Sequence, residues 1–77
     1  MNMVYKENKL YIELMGSVTK RDVGIMKDRL FSVLNSYTIN DIVINVDSIF
    51  GLKRDIFNEF LEEYHTKYKG NVTINNK

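Results

Sequence analysis

A nearly continuous run of β-branched residues in the middle of the chain constrains the fold more than any other feature. The run, Asp41 to Val46, reads Asp-Ile-Val-Ile-Asn-Val. Such a run is typical of a strand that is covered on both faces of its sheet. We therefore expect this segment to be a central strand, with Asp47 and Ser48 at its carboxyl end.

Length and composition favour a single domain, residues 1–77. A chain of 77 residues with 44% hydrophobic content can build one modest core. It has no cysteine, which excludes a disulfide framework, a thiolate metal site and a thiol nucleophile. The net charge of +1 lacks the cationic excess of a nucleic-acid-binding domain. With no leader-like or membrane-spanning apolar run, we expect a cytoplasmic protein without membrane insertion.

Further strands and helices are predicted on both sides of this run. Segments 4–6 and 10–14 are expected to be strands joined by a hairpin turn at Glu7-Asn8, since asparagine tolerates positive φ. Thr19 and Asp22 form a capping-box pattern that starts a first helix, from about residue 20 to 36. Its apolar stripe recurs every three or four residues and consists of Val23, Met26, Leu30, Leu34 and Tyr37.

In the second half of the chain, a helix and then a strand follow the central run. A second helix is indicated by Ile56, Phe60, Tyr64 and Tyr68 at helical spacing, with Lys69-Gly70 as its exit. Segment 72–74 is the last strand. The predicted fold class is therefore α/β in the order ββαβαβ, a mixed sheet with two helices packed mainly on one face.

Few residues offer catalytic chemistry, so we expect a protein that is not an enzyme. His65 is the single histidine and is best interpreted as a partly exposed structural side chain. Asp47 and Ser48 lie where open α/β sheets bind ligands, although both residue types also commonly satisfy turn amides. No metal or cofactor is expected.

Four cations form a candidate anion site. Lys20 and Arg21 open the first helix, while Lys53 and Arg54 open the second, so both positive helix ends carry added positive charge. No glycine-rich phosphate loop accompanies them. A small anion or nucleotide sensor is therefore retained as an alternative function.

Segments 10–19 and 42–49, each followed by a helix, and the closing segment 70–74 resemble the STAS domain of sulfate transporters and anti-sigma factor antagonists. The resemblance covers nearly the whole chain and lies in the pattern of elements. It implies a STAS-like fold and a regulatory, partner-binding function. In partner-switching STAS proteins, an Asp-Ser-Ser-Gly stretch that carries the phosphorylated serine opens the second helix.

The matching stretch here is Lys53-Arg54-Asp55-Ile56, which has no hydroxyl to phosphorylate. Asp55 at the phosphoserine position carries one charge where phosphate carries nearly two, so it imitates the modified state only weakly. The family usually continues into a further helix beyond the last strand, and its absence would leave a sheet face or edge open to a partner or to a second copy.

The leading hypothesis is a non-enzymatic protein-interaction module without phosphorylation switching. The expected partner is a regulatory protein, such as a kinase-like anti-sigma factor or a transporter component, or the protein itself. Apolar side chains in a loop are natural interface anchors. The predicted partner-binding residues are Phe50, Leu52, Lys53, Arg54, Asp55 and Phe57, together with Lys20 and Arg21. A self-associating structural unit, a homo-oligomer, is the third hypothesis.

Overall fold

The computed structural model describes residues 1–47 and 54–76. In chain order the elements are β1 (Asn2–Lys6), β2 (Lys9–Met15), α1 (Lys20–Leu34), β3 (Asp41–Asp47), a 3₁₀ turn (Arg54–Phe57), α2 (Asn58–Lys67) and β4 (Asn71–Asn76). The strands form one sheet in the order β1-β2-β3-β4. Strand β1 pairs antiparallel with β2, whereas β3 pairs parallel with both β2 and β4. The predicted small α/β domain with a mixed sheet and two helices is confirmed.

The hairpin between β1 and β2 follows the local sequence. Glu7 and Asn8 have φ of 52° and 63°, the left-handed pair that a two-residue hairpin turn requires. The Tyr5 hydroxyl donates a 3.0 Å hydrogen bond to the Asn8 side-chain oxygen. The predicted turn is therefore present at the predicted residues.

Helix α1 begins as its cap pattern predicts and ends two residues early. The Thr19 hydroxyl accepts a hydrogen bond from the Asp22 amide, and the Asp22 carboxylate accepts one from the Thr19 amide at 2.9 Å. This capping box satisfies amides that the first turn leaves free. Tyr37 lies beyond the helix and is exposed, so its assignment to the apolar stripe is wrong. The Tyr37 ring contacts the Tyr5 ring, and the two ring centroids are 5.4 Å apart.

Both helices pack on one face of the sheet. Each crossover, β2-α1-β3 and β3-α2-β4, moves in the same direction across the sheet, and crossovers of one hand then place both helices on the same side. The buried core combines alternate residues of β2 and β3 with side chains from both helices: Leu10, Ile12, Leu14, Ile42, Ile44, Val46, Val23, Met26, Leu30, Phe60 and Tyr64.

The opposite side of the sheet, which we call the open face, carries Tyr11, Glu13, Val43 and Asn45. These side chains are half-buried, and neither helix packs on them. The expectation that β3 is covered on both faces is therefore wrong for the described part of the chain. The β-branched run does predict the inner position of β3, but it does not show which side the helices occupy.

Candidate partner-binding site

The carboxyl edge of the parallel strands gathers the predicted site. Strands β2 and β3 run parallel, so the chain leaves both at the same edge of the sheet. There α1 begins with Lys20 and Arg21, and the 3₁₀ turn begins with Arg54 and Asp55. All four side chains are exposed. The topology thus brings these four predicted site residues to one edge.

The remaining predicted partner-binding residues are Phe50, Leu52, Lys53 and Phe57. Phe57 is 0% exposed and belongs to the core, so its assignment to the partner-binding surface is wrong. A 3₁₀ turn, Arg54–Phe57, precedes α2, and it turns the Phe57 ring inward while Arg54 and Asp55 face solvent. The predicted contacts Phe50, Leu52 and Lys53 lie outside the described residues.

A groove of about 310 Å³ lies at this edge, between α1 and the ends of β1 and β2. Two of its lining side chains are apolar and well exposed, Met15 at 63% and Ile25 at 45%. Met1 is also exposed there, and Leu14 lies at the bottom. Large apolar side chains held in water around a depression are typical of a docking surface.

The local sequence builds this groove from three features. Met15 ends β2 on the side away from the core, and Gly16 then turns the chain with φ of 72°, a conformation that favours glycine. Val18 packs against the core and leads into the cap of α1. One turn further along the helix, Ile25 and Arg29 line the same groove because residues four apart share a helix face.

Asp22 places a negative charge at the start of α1, where the capping box holds its carboxylate. Hydrogen bonds from the Thr19 amide, and then from the Thr19 hydroxyl, lower the pKa of its carboxyl from 3.8. The carboxylate therefore stays ionised at neutral pH and occupies the amino end of α1, where an anion would bind. Because the capping box fills this end, the structure gives no support to the anion-sensor alternative at α1.

The sequence offered three further candidates, His65, Asp47 and Ser48. His65 is an exposed residue of α2 whose ring packs edge-on against Tyr64. Asp47 ends β3, and Ser48 lies outside the described residues. Glu63 of α2 forms ion pairs with Lys27 of α1 at 2.9 Å and with Lys67 of its own helix at 3.5 Å. Within residues 1–47 and 54–76 there is no group of three acidic or histidine side chains placed to hold a metal.

Sequence reasoning missed Met15, Ile25 and Arg29. Ile25 did carry a signal, because it stands outside the stripe of Val23, Met26 and Leu30 and so points an apolar side chain away from the core. Met15 also follows the alternation of β2 outward, in line with Tyr11 and Glu13. Their convergence on one groove depends on tertiary packing.

Comparison of the chain with protein-family models, curated proteins and solved structures gave no match. Within the described part of the chain, neither helix has the length and apolar character that crossing a bilayer requires. The fold and the edge site thus define a small α/β domain with a solvent-facing groove that is lined by both polar and exposed apolar side chains.

Proposed function

We propose that this protein is a non-enzymatic interaction module that binds another protein at the carboxyl edge of its sheet. The observation that carries the proposal is the exposure of Met15 and Ile25 on one groove. Isolated exposed apolar side chains are normal on a protein surface, but grouped ones around a depression mark an interface.

The charges around the groove indicate the chemistry of the partner. Lys20 and Arg21 are exposed beside it, and Arg29 lines it. The one acid of the lining, Asp22, is engaged in the helix cap. A partner segment with an apolar anchor and flanking acidic residues therefore complements both the groove and its rim.

We further propose that the domain is STAS-like and that the partner is a regulatory protein of the kind that such domains bind. The order of strands and helices and the exposure of Arg54 and Asp55 at the start of the 3₁₀ turn support this. Because the stretch from Lys53 to Ile56 offers no hydroxyl, binding at this position is independent of phosphorylation.

The proposal is tested by quantitative affinity capture from host lysate with single variants of the tagged protein. Ile25→Glu and Met15→Glu place a charge in the groove and are expected to lower recovery of the partner at least about tenfold, as loss of an interface anchor does. Tyr37→Glu is the control, since Tyr37 is a large side chain of similar exposure that lies outside the groove.

Capture of one protein by the wild type and by Tyr37→Glu, but not by the groove variants, supports the proposal. Equal recovery with all four proteins contradicts it. A further arm, Lys20→Glu with Arg21→Glu, is expected to weaken capture and to change its dependence on salt.

A further inference from the structure

The sulfur atoms of this chain all belong to methionine. The sequence has four methionines, Met1, Met3, Met15 and Met26, and neither cysteine nor tryptophan. Peroxides oxidise thiols and thioethers in preference to other side chains, so the thioethers of this chain meet no competition from a thiol. Which methionine reacts first then depends on how far each one is exposed to water.

Exposure separates the four methionine side chains. Met15 is 63% exposed and Met1 is 42% exposed, whereas Met26 is 0% exposed and lies in the core. Met3 is partly buried against the same core. An oxidant dissolved in water therefore reaches Met15 directly, but it reaches Met26 only when the fold opens.

We infer that Met15 is a reversible oxidation site that controls docking at the groove. The inference rests on the proposed function, because it takes the groove as the place where a partner docks. Met15 ends β2 and lines the groove together with Ile25. Oxidation of Met15 to its sulfoxide replaces an exposed apolar anchor with a polar side chain.

The reaction uses a peroxide as its oxidant. A lone pair of the Met15 sulfur attacks one oxygen of hydrogen peroxide, and the S–O bond forms as the O–O bond breaks. The departing hydroxide takes up the proton of the transferred hydroxyl and becomes water. The sulfur loses two electrons and the peroxide gains them. Methionine sulfoxide reductases restore the thioether, with one enzyme for each sulfoxide epimer.

The position of Met15 lets oxidation act on binding and not on folding. Its side chain lies at the end of a strand and outside the core, so the added oxygen remains in water and displaces no buried atom. Under a docked partner the same oxygen loses its water, which is unfavourable unless a hydrogen-bond donor replaces that water. The sulfoxide therefore weakens docking and leaves the free domain folded.

The first test measures how fast each methionine is oxidised. The folded protein is exposed briefly to dilute hydrogen peroxide, and peptide mass spectrometry measures the sulfoxide at each methionine. Met15 is expected to oxidise at least about tenfold faster than Met26, and the two rates should converge when the protein is unfolded in urea. Thermal melts of the oxidised protein, monitored by circular dichroism, are expected to match those of the untreated protein.

The second test compares partner capture before and after peroxide treatment of the same tagged protein. The wild type is expected to lose capture about tenfold, as when an interface anchor is disrupted, and to regain it after treatment with both reductases. For Met15→Leu, the ratio of treated to untreated capture is expected to be close to one, because leucine has no sulfur. Met1 remains oxidisable in this variant, which therefore separates the effects of the two groove methionines.

Equal oxidation rates at Met15 and Met26 in the folded protein overturn the inference. So does treated wild type that captures as much partner as the untreated protein, or an equal loss of capture in treated Met15→Leu. Wild type that captures no protein before treatment contradicts the proposed function instead, and the oxidation rates alone then decide whether Met15 is the reactive site.

Discussion

The backbone at Gly70 passes directly over the hydroxyl of Tyr64. A Cβ atom at Gly70 would lie 2.7 Å from the Tyr64 hydroxyl oxygen and 2.6 Å from the Asn40 carbonyl oxygen. The Asn71 amide, next along the chain, donates to that same carbonyl at 3.0 Å. Glycine is thus what lets the chain turn from α2 into β4 while touching both the core and the start of β3.

Gly70→Ala should destabilise the fold by about 2 kcal/mol or more, because an added Cβ meets backbone and φ is +146°. Gly24→Ala is the matched control. Gly24 lies in α1 with open space around its Cβ position, so alanine there should stabilise the protein by about 0.5–1 kcal/mol. Urea unfolding of both variants measures the difference in their unfolding free energies. Equal effects of the two substitutions would show that the close approach at Gly70 does not affect stability.

Tyr64→Phe should leave stability unchanged or raise it by up to about 1 kcal/mol. The Tyr64 side chain is 0% exposed, and its hydroxyl has no hydrogen-bond partner in the described part of the chain. Removing a buried hydroxyl without a partner removes a desolvation cost and loses no bond. Chemical denaturation of the two proteins checks this. A loss of more than about 1 kcal/mol would indicate that the hydroxyl is bonded.

Tyr64→Phe should also change how the unfolding free energy depends on pH in alkaline solution. Burial, and to a lesser degree the Asp41 carboxylate, raise the pKa of the Tyr64 hydroxyl above 10.0. As pH rises, the unfolded chain therefore loses this proton before the folded protein does. The contribution of the Tyr64 hydroxyl proton to the unfolding free energy is complete below pH 10 and is lost as pH rises through the folded-state pKa. We expect the difference in unfolding free energy between Tyr64→Phe and the wild type to grow above about pH 10. A difference that is constant with pH would contradict this.

Thr19→Ala should destabilise α1 by about 1 kcal/mol, as loss of a helix N-cap does. The substitution removes the hydroxyl that bonds both the Asp22 amide and the Asp22 carboxylate. Ser32→Ala is the control, because the Ser32 hydroxyl donates to the Asp28 carbonyl within the same helix and takes no part in the cap. Thermal melts at neutral pH compare the two, and similar losses would show that the cap is not stabilising.

Acid should remove the contribution of this cap. The pKa of Asp22 is lowered from 3.8 in the folded protein, so its stabilisation is present above pH 3.8 and is lost as pH falls through the folded-state value. Asp22→Asn should therefore be less stable than the wild type at neutral pH and approach it in strong acid. Denaturation curves that stay equally separated down to the lowest accessible pH would contradict the cap's electrostatic role.

Local signals predicted the elements whose causes are local. Glu7-Asn8 predicted the hairpin, and Thr19 with Asp22 predicted the first residue of α1, because a turn and a cap each involve neighbouring residues. The site was less predictable. Phe57 was expected to contact a partner, but its position in a 3₁₀ turn, which the apolar pattern does not specify, directs it into the core.

The sequence by itself determined the class of fold, the inner position of β3 and the alternation that divides each strand into two faces. Only the tertiary structure decided that, in the described part of the chain, both helices pack on the same one of those faces and that Met15 and Ile25 meet at one groove. The physical reason is that alternation defines faces without stating what covers them. Coverage depends on the direction in which successive crossovers cross the sheet, and that is set by the packing of the whole chain.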